Sequence, residues 1–183
     1  MPGCDEDGSR STIIKGIDWV TANAKKPAVA NMSISGPAST SLEDAVRNSV
    51  EKGDVLYSVA AGNEGRNACN YSPAGAGTNN GIVTVAATNK SNAEPSWSNY
   101  GRCVDIWAPG VGIKSTWKMG GIEFMSGTSM ASPHVGGGGA LYLHSHTSAS
   151  PSSVERALKD AARRPGTQSK NDSPILLEKV GKF

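Results

Sequence analysis

The sequence predicts an α/β protein built on a largely parallel sheet flanked by helices. Three observations carry that prediction. Short apolar runs rich in Val, Ile and Ala recur with little polar alternation, as strands covered on both faces require. Helix-length amphipathic segments lie between them, the order that builds βαβ units. Residues 62–80 and 88–102 form long connections rich in Gly, Asn, Ser and Pro, the kind of loop that carries a site on a rigid scaffold.

The expected strands are residues 28–35, 55–61, 81–87 and 104–108. Between the first two, residues 41–53 place Leu42, Ala45, Val46, Ser49 and Val50 on one helical stripe. Ser41 is expected to cap that helix, Asp44 to sit at its third position and Gly53 to stop it. Residues 12–24 carry Ile13, Ile14, Ile17 and Val20 at helical spacing, although Gly16 costs about 1 kcal/mol relative to alanine. A third helix is expected over residues 129–144. A fourth spans 152–162, with Pro151 at its start and Ser152 to Glu155 resembling a capping box. No internal repeat and no linker is present, so a single domain is expected.

The chain has 183 residues and a mass of 18.9 kDa, with 37% hydrophobic and 19% charged residues. This composition excludes disorder and collagen. A folded chain of this length buries roughly 70% of its unfolded surface, enough for a real core without disulfide staples. The formal charge is only +2, with no basic block longer than a pair, so neither nucleic acid nor an anionic membrane is an expected partner. No apolar run approaches the ~18 residues of a membrane span, and Met1-Pro2-Gly3-Cys4-Asp5-Glu6-Asp7 lacks an apolar signal-peptide core. Three cysteines, Cys4, Cys69 and Cys103, allow at most one intramolecular pair.

Chemistry concentrates at Phe124-Met125-Ser126-Gly127-Thr128-Ser129-Met130-Ala131-Ser132-Pro133-His134-Val135, where a strand-like approach turns into an apolar helix. A serine there presents its hydroxyl at a helix N-terminus, where unpaired N–H groups and the helix dipole favour developing negative charge. Residue types alone favour a plain N-cap for Ser129. The longer string from Gly127 to Val135, however, closely resembles the nucleophile signature of subtilisin-like serine proteases (peptidase family S8). Further resemblance follows in family order through Asn31-Met32-Ser33-Ile34-Ser35-Gly36, Val59-Ala60-Ala61-Gly62-Asn63, Asn70-Tyr71-Ser72-Pro73-Ala74, Ser98-Asn99-Tyr100-Gly101 and Ala108-Pro109-Gly110. It covers nearly all of residues 3–180 and is similar above all to the proteinase K branch.

That resemblance implies a subtilisin-like fold and a serine endopeptidase acting on polypeptides, with Ser129 as nucleophile and Asn63 as oxyanion-hole side chain. It implies that Ser33, Ile34 and Ser35 face Ala60, Ala61 and Gly62 across the pocket for the residue before the scissile bond. Ser35 replaces the family's usual glycine and is expected to narrow that pocket. Gly8 and Ser9 match the edge that pairs with substrate backbone. Asp105 matches an aspartate that binds structural calcium in some relatives, against the alternative of a plain surface carboxylate; no cofactor is required for the reaction. The run Gly136 to Gly139 departs from the family and costs about 3–4 kcal/mol of helix propensity relative to alanine.

Acyl transfer by serine needs a base and a carboxylate that orients it. Of His134, His144 and His146, the first follows Ser129 by five residues on one helix and so points roughly 140° away from it. It is expected to be a packing residue, and the other two solvated residues at a helix end. The family's Asp-Thr-Gly or Asp-Ser-Gly and His-Gly-Thr motifs are absent from these residues. The resemblance therefore implies a partial peptidase domain over residues 1–183, truncated at its N-terminal side. Such a chain is a very weak protease unless the missing segment is supplied in cis or trans; the alternative is a non-catalytic remnant that binds peptides or proteins.

The resemblance further implies an extracellular location, a Cys69–Cys103 disulfide closing a loop of about 35 residues worth roughly 3–4 kcal/mol in the chain-entropy model, and a Cys4 whose partner lies elsewhere. Mass mapping of the oxidised chain is expected to find Cys69 joined to Cys103 with Cys4 free; a Cys4–Cys103 bridge would refute the matching of motifs.

Overall fold

The computed structural model describes residues 9–181. Four parallel strands, β1 (Ala28–Met32), β3 (Val55–Ala60), β5 (Ile82–Thr88) and β6 (Ile106–Pro109), pair in that order among the described residues. In register, Val29 lies beside Leu56, Val59 beside Thr84 and Val85 beside Ile106. Because side chains alternate along a strand, Val55, Tyr57 and Val59 face one side of the sheet and Leu56 the other. The helices α1 (Arg10–Asn23) and α2 (Thr40–Gly53) cover the first side through Ile17, Leu42 and Val46. On the second side, α3 (Thr128–Ser145) and α4 (Pro151–Ala161) contribute Val135, Leu143, Val154 and Leu158. The predicted α/β class follows directly, since every residue of β3 and β5 is buried.

The helix ends differ from expectation. Ser39 caps α2, its Oγ accepting the Leu42 N–H at 3.4 Å, and the chain turns at Asp54 rather than at Gly53. Gly53 lies inside the helix instead, where a β-carbon would come within 3.2 Å of Thr21 Cα on α1. Ser150 caps α4, and Glu155 closes no capping box: its carboxylate accepts the Gly81 N–H and pairs with Lys159, each at 2.6 Å. Gly53 and Glu155 thus meet tertiary neighbours, whereas the two caps are local serines that precede the expected positions.

Two short antiparallel pairs complete the chain. β2 (Gly36–Pro37) pairs with β4 (Tyr71–Ser72), and β7 (Ile113–Thr116) with β8 (Ile122–Met125), the strand that leads to Ser129. The disulfide joins Cys69 to Cys103 over 34 positions with a Cα separation of 5.4 Å, whereas Cys4 lies outside the described residues. The long 88–102 connection is anchored by Glu94, whose side chain is only 1% exposed, accepts from Trp107 Nε1 at 2.7 Å and Ser169 Oγ at 2.9 Å and lies 3.3 Å from Lys170 Nζ. That ammonium also donates to the carbonyls of Pro95, Ser96 and Ser98, so one lysine gathers the loop around a single positive charge.

The four-glycine run is not uniformly expendable. A β-carbon on Gly139 would fall 2.6 Å from Leu56 Cδ2, so α3 rests on β3 at a distance that favours glycine. Gly136 would make ordinary contacts of 3.6 Å, and Gly137 faces open space. Gly137→Ala is therefore expected to raise the unfolding free energy by about 1 kcal/mol, and Gly139→Ala to lower it by about 1–3 kcal/mol through overpacking, both read from urea denaturation midpoints.

Candidate active site

α3 begins at Thr128 after Gly127, which has no side chain with which to cap it, so the donors of the first turn must be met from outside the helix. Asn63, three residues past the end of β3, meets the first of them. Its Oδ1 accepts the Thr128 N–H at 2.8 Å and the Thr128 hydroxyl at 3.0 Å, while that hydroxyl accepts the Gly62 N–H at 3.1 Å. Two donors on one oxygen fix the amide's orientation. Its Nδ2 is left beside Gly127, where a β-carbon would stand 3.5 Å away. Neither Asn63 Nδ2 nor the Ser129 N–H has an acceptor among the described residues. The helix start thus carries free donors on the side where Ser129 sits.

Pro133 shapes the rest of this turn. Lacking an N–H, it leaves the carbonyl four residues back, that of Ser129, without its helical partner. Ser33, just beyond β1, supplies one: its Oγ donates to Ser129 O at 2.8 Å, and Ser129 Oγ donates in return to Ser33 O at 3.1 Å. Behind this pair, Asn31 Nδ2 donates to Ser33 Oγ at 2.9 Å, Asn31 Oδ1 accepts from Ser132 Oγ at 2.6 Å, and Ser58 Oγ donates to Ser132 O at 2.8 Å. β1, β3 and α3 are tied together by this chain of hydrogen bonds, which ends on Ser129.

Both segments expected to form the pocket meet that helix start, Ser33 at Ser129 and Gly62 at Thr128. Ser33, half-buried Ile34 and exposed Ser35 follow β1. Ala60 ends β3, Ala61 is held by its N–H to Val85 O at 3.0 Å and by Asn99 Nδ2 to its carbonyl at 2.9 Å, and Gly62 turns the chain at φ 103°. A β-carbon on Gly62 would fall 2.7 Å from Ser35 Oγ, so the Ser35 hydroxyl reaches across towards that glycine. Buried Asn99 organises the Gly62 turn, also accepting the Glu64 and Arg66 N–H groups at 3.1 and 2.8 Å. Ser9 is the N-cap of α1, its Oγ accepting the Thr12 N–H at 3.3 Å, and Gly8 lies outside the described residues.

No imidazole touches Ser129 among the described residues. His134 is exposed rather than packed, with Nδ1 donating to Met130 O at 2.8 Å. His146 donates from Nδ1 to Tyr142 O and stacks on that ring at 4.1 Å. Residue types in the sequence did not single out Thr128, Asn31 or Ser132 as part of the site; their roles arise only once the sheet and α3 are brought together.

Asp105 is not a surface carboxylate. Its side chain is 10% exposed, Oδ2 accepts the Thr84 N–H at 2.9 Å, and Oδ1 pairs with Lys159 at 3.2 Å. Calcium takes six to eight oxygens. Here an ammonium already faces the carboxylate, and among the described residues no three His, Cys, Asp or Glu side chains converge on a metal position. The donor set does not fit calcium. Burial pushes the Asp105 carboxyl up from 3.8 to about 7, with the Thr84 N–H and Lys159 opposing the rise and the Glu155 charge adding to it. Burial likewise pushes Glu178 up to about 7. Between pH values of about 4 and 7 the folded chain then holds protons the unfolded chain has released, so its stability falls as pH rises through that window. Asp105→Asn is expected to flatten the dependence by on the order of 3 kcal/mol across the window, measured by urea unfolding at several pH values; an unchanged slope would place the proton elsewhere.

The sequence matches the profile of the subtilase family, Peptidase_S8, over residues 1–182. It is 50% identical over 159 residues to alkaline serine exoprotease A of Vibrio alginolyticus, a match covering 87% of this chain and 29% of that protein. It is 50% identical over 157 residues to the extracellular serine proteinase of Thermus sp. strain Rt41A, covering 85% of this chain and 37% of the relative. The crystal structure of a cold adapted subtilisin-like serine proteinase superposes with a TM-score of 0.93 at 40% identity, over 99% of this chain and 65% of that one. This chain therefore spans about a third of the length of those two relatives and about two thirds of the solved chain. With this fold and these matches, the chain belongs to the subtilase family of serine proteases.

Proposed function

We propose that this chain carries the nucleophile and oxyanion half of a subtilisin-like endopeptidase site. Ser129 Oγ attacks the scissile carbonyl carbon of a polypeptide, its proton passes to a base, and the oxyanion settles between Asn63 Nδ2 and the Ser129 N–H. Collapse of the tetrahedral adduct breaks the C–N bond, the amine leaves with a proton from the base, and water releases the acyl group from Ser129. The substrate residue before the scissile bond lies between Ser33-Ile34-Ser35 and Ala60-Ala61-Gly62, narrowed by Ser35. One observation carries this reading: Thr128 holds Asn63 by its oxygen and so leaves the amide nitrogen free beside the turn that bears Ser129.

The base and its orienting carboxylate come from a segment other than those described, in cis or in trans, and the reaction needs no metal. By itself the chain retains at most the ~10³–10⁴-fold over water that subtilisin keeps without its triad, a value quoted for that enzyme rather than derived. The disulfide, together with a relative named as extracellular, supports action outside the cell. No helix among the described residues is long and apolar enough to cross a membrane.

A fluorophosphonate probe tests the reading. The chain alone is expected to label no more than a Ser129→Ala control, and free imidazole to bring out labelling that requires Ser129. Asn63→Ala should then slow acyl transfer to a p-nitrophenyl ester by about 10²–10³, the size known for this donor in subtilisin itself and carried over from it. Labelling without imidazole would reveal an unrecognised base. No Ser129-dependent labelling in either condition would leave peptide binding without catalysis.

A further inference from the structure

Residues 175–178 close one edge of the sheet and end on a carboxylate in an apolar place. They run as an extended segment between β6 and Arg163. Trp107 N–H donates to Leu176 O and Glu178 N–H to Trp107 O, each at 2.8 Å, while Leu177 exchanges backbone bonds with Arg163 at 2.7 and 2.8 Å. Side chains alternate along such a segment. Ile175 and Leu177 are buried with Trp107 on one face, and Leu176 packs on the other, among residues of α3 and α4. Glu178 follows Leu176 to that second face. A β-carbon on Gly138 would fall 2.5 Å from Glu178 Oε1, 3.0 Å from Val180 Cγ1 and 3.3 Å from Leu158 Cδ2. Glycine in α3 thus leaves the room that this carboxylate fills.

Although Glu178 as a whole is half-buried, its Oε1 is enclosed and has no hydrogen-bond partner among the described residues. α4 contributes Glu155, Arg156, Lys159 and Asp160, and Lys159 is already paired with Glu155 and with Asp105 before β6. α3 contributes His134, Tyr142 and His144. Arg163 reaches Asn92 Oδ1 at 3.3 Å, and Lys179 is exposed. None of these groups shifts Glu178: burial alone pushes its carboxyl up to about 7. Ionised there, the carboxylate has given up water without gaining a donor or a countercharge.

We propose that Glu178 is a proton-operated latch: protonated, it holds residues 175–178 against β6 and α3, and ionised it lets them part and bares the β6 edge. The carboxyl rises from its ordinary 4.5 in the open, solvated segment to about 7 when closed. Closing is therefore strongest below about pH 4.5, weakens as pH rises through the interval, and is weakest above about 7. From pH 5 to 8 the closing constant falls by on the order of 10²-fold.

Hydrogen exchange of the whole chain, resolved by NMR and corrected for intrinsic exchange rates, tests the latch. Protection at the Trp107 and Glu178 amides is expected to fall by on the order of 10²-fold from pH 5 to 8, at values below those of the β3 amides. Glu178→Gln, which keeps the shape and cannot ionise, should abolish the fall, whereas Asp105→Asn should leave it in place. Glu178→Leu gives the same reading should the amide variant not fold. Protection indifferent to pH would mean that the carboxylate turns out to water without opening the segment, and would overturn the proposal. An equal fall in the Glu178 variants, or one that matches the β3 amides at every pH, overturns it as well.

Discussion

Everything at the candidate site depends on the hydrogen bonds by which Thr128 joins the start of α3 to the end of β3. The Thr128 hydroxyl donates to Asn63 and accepts from Gly62, while its N–H donates to Asn63 as well. Thr128 is fully buried, so losing this set would leave polar groups unpaired in a dry place, at a cost of about 1–3 kcal/mol for each group. The same set fixes where the Asn63 amide nitrogen stands. One side chain therefore serves stability and the placing of a donor at once.

Ser129 is held from a second direction because Pro133 interrupts the helix beneath it. The missing N–H frees the Ser129 carbonyl for Ser33, and Ser33 is oriented in turn by Asn31, which Ser132 also grips. A helix with an unbroken ladder would satisfy that carbonyl internally and leave β1 without this tie to Ser129. What reads as a helix defect becomes a joint between sheet and helix. Gly139 contributes to the same contact by letting α3 lie close on Leu56.

Much of this was legible in the sequence, for reasons that separate what was found from what was not. β3 and β5 announced themselves because strands buried on both faces must be continuously apolar, and α2 because its stripe faces the sheet. Ser129, Asn63 and the Cys69–Cys103 pair came from motif resemblance rather than from pattern. The caps fell on the neighbouring serines Ser39 and Ser150, which residue types do not separate from Ser41 and Ser152, and Glu155 took the Gly81 N–H instead of closing its own helix. Asp105 looked like a surface or metal carboxylate because its partner Lys159 lies 54 positions away and nothing local signals the pair. His134 was expected to pack because the sequence carries no record of which faces of α3 are covered.

The two sides of α3 differ in exposure but not in composition. α3 presents Ala131, Val135 and Leu143 to the sheet and Pro133, Ala140 and Leu141 to solvent, yet both sets are of one apolar kind. A helix selected to face water on one side would carry charge there, as α2 does with Glu43, Asp44 and Arg47. The composition of α3 thus does not follow its exposure, which differs between its two sides. Its N-terminus carries the free Ser129 N–H beside Asn63 Nδ2, and the Ser129 hydroxyl rests on the Ser33 carbonyl with no imidazole against it among the described residues. Those donors are local to one turn and its anchor, so their placement needs only α3, Thr128 and Asn63.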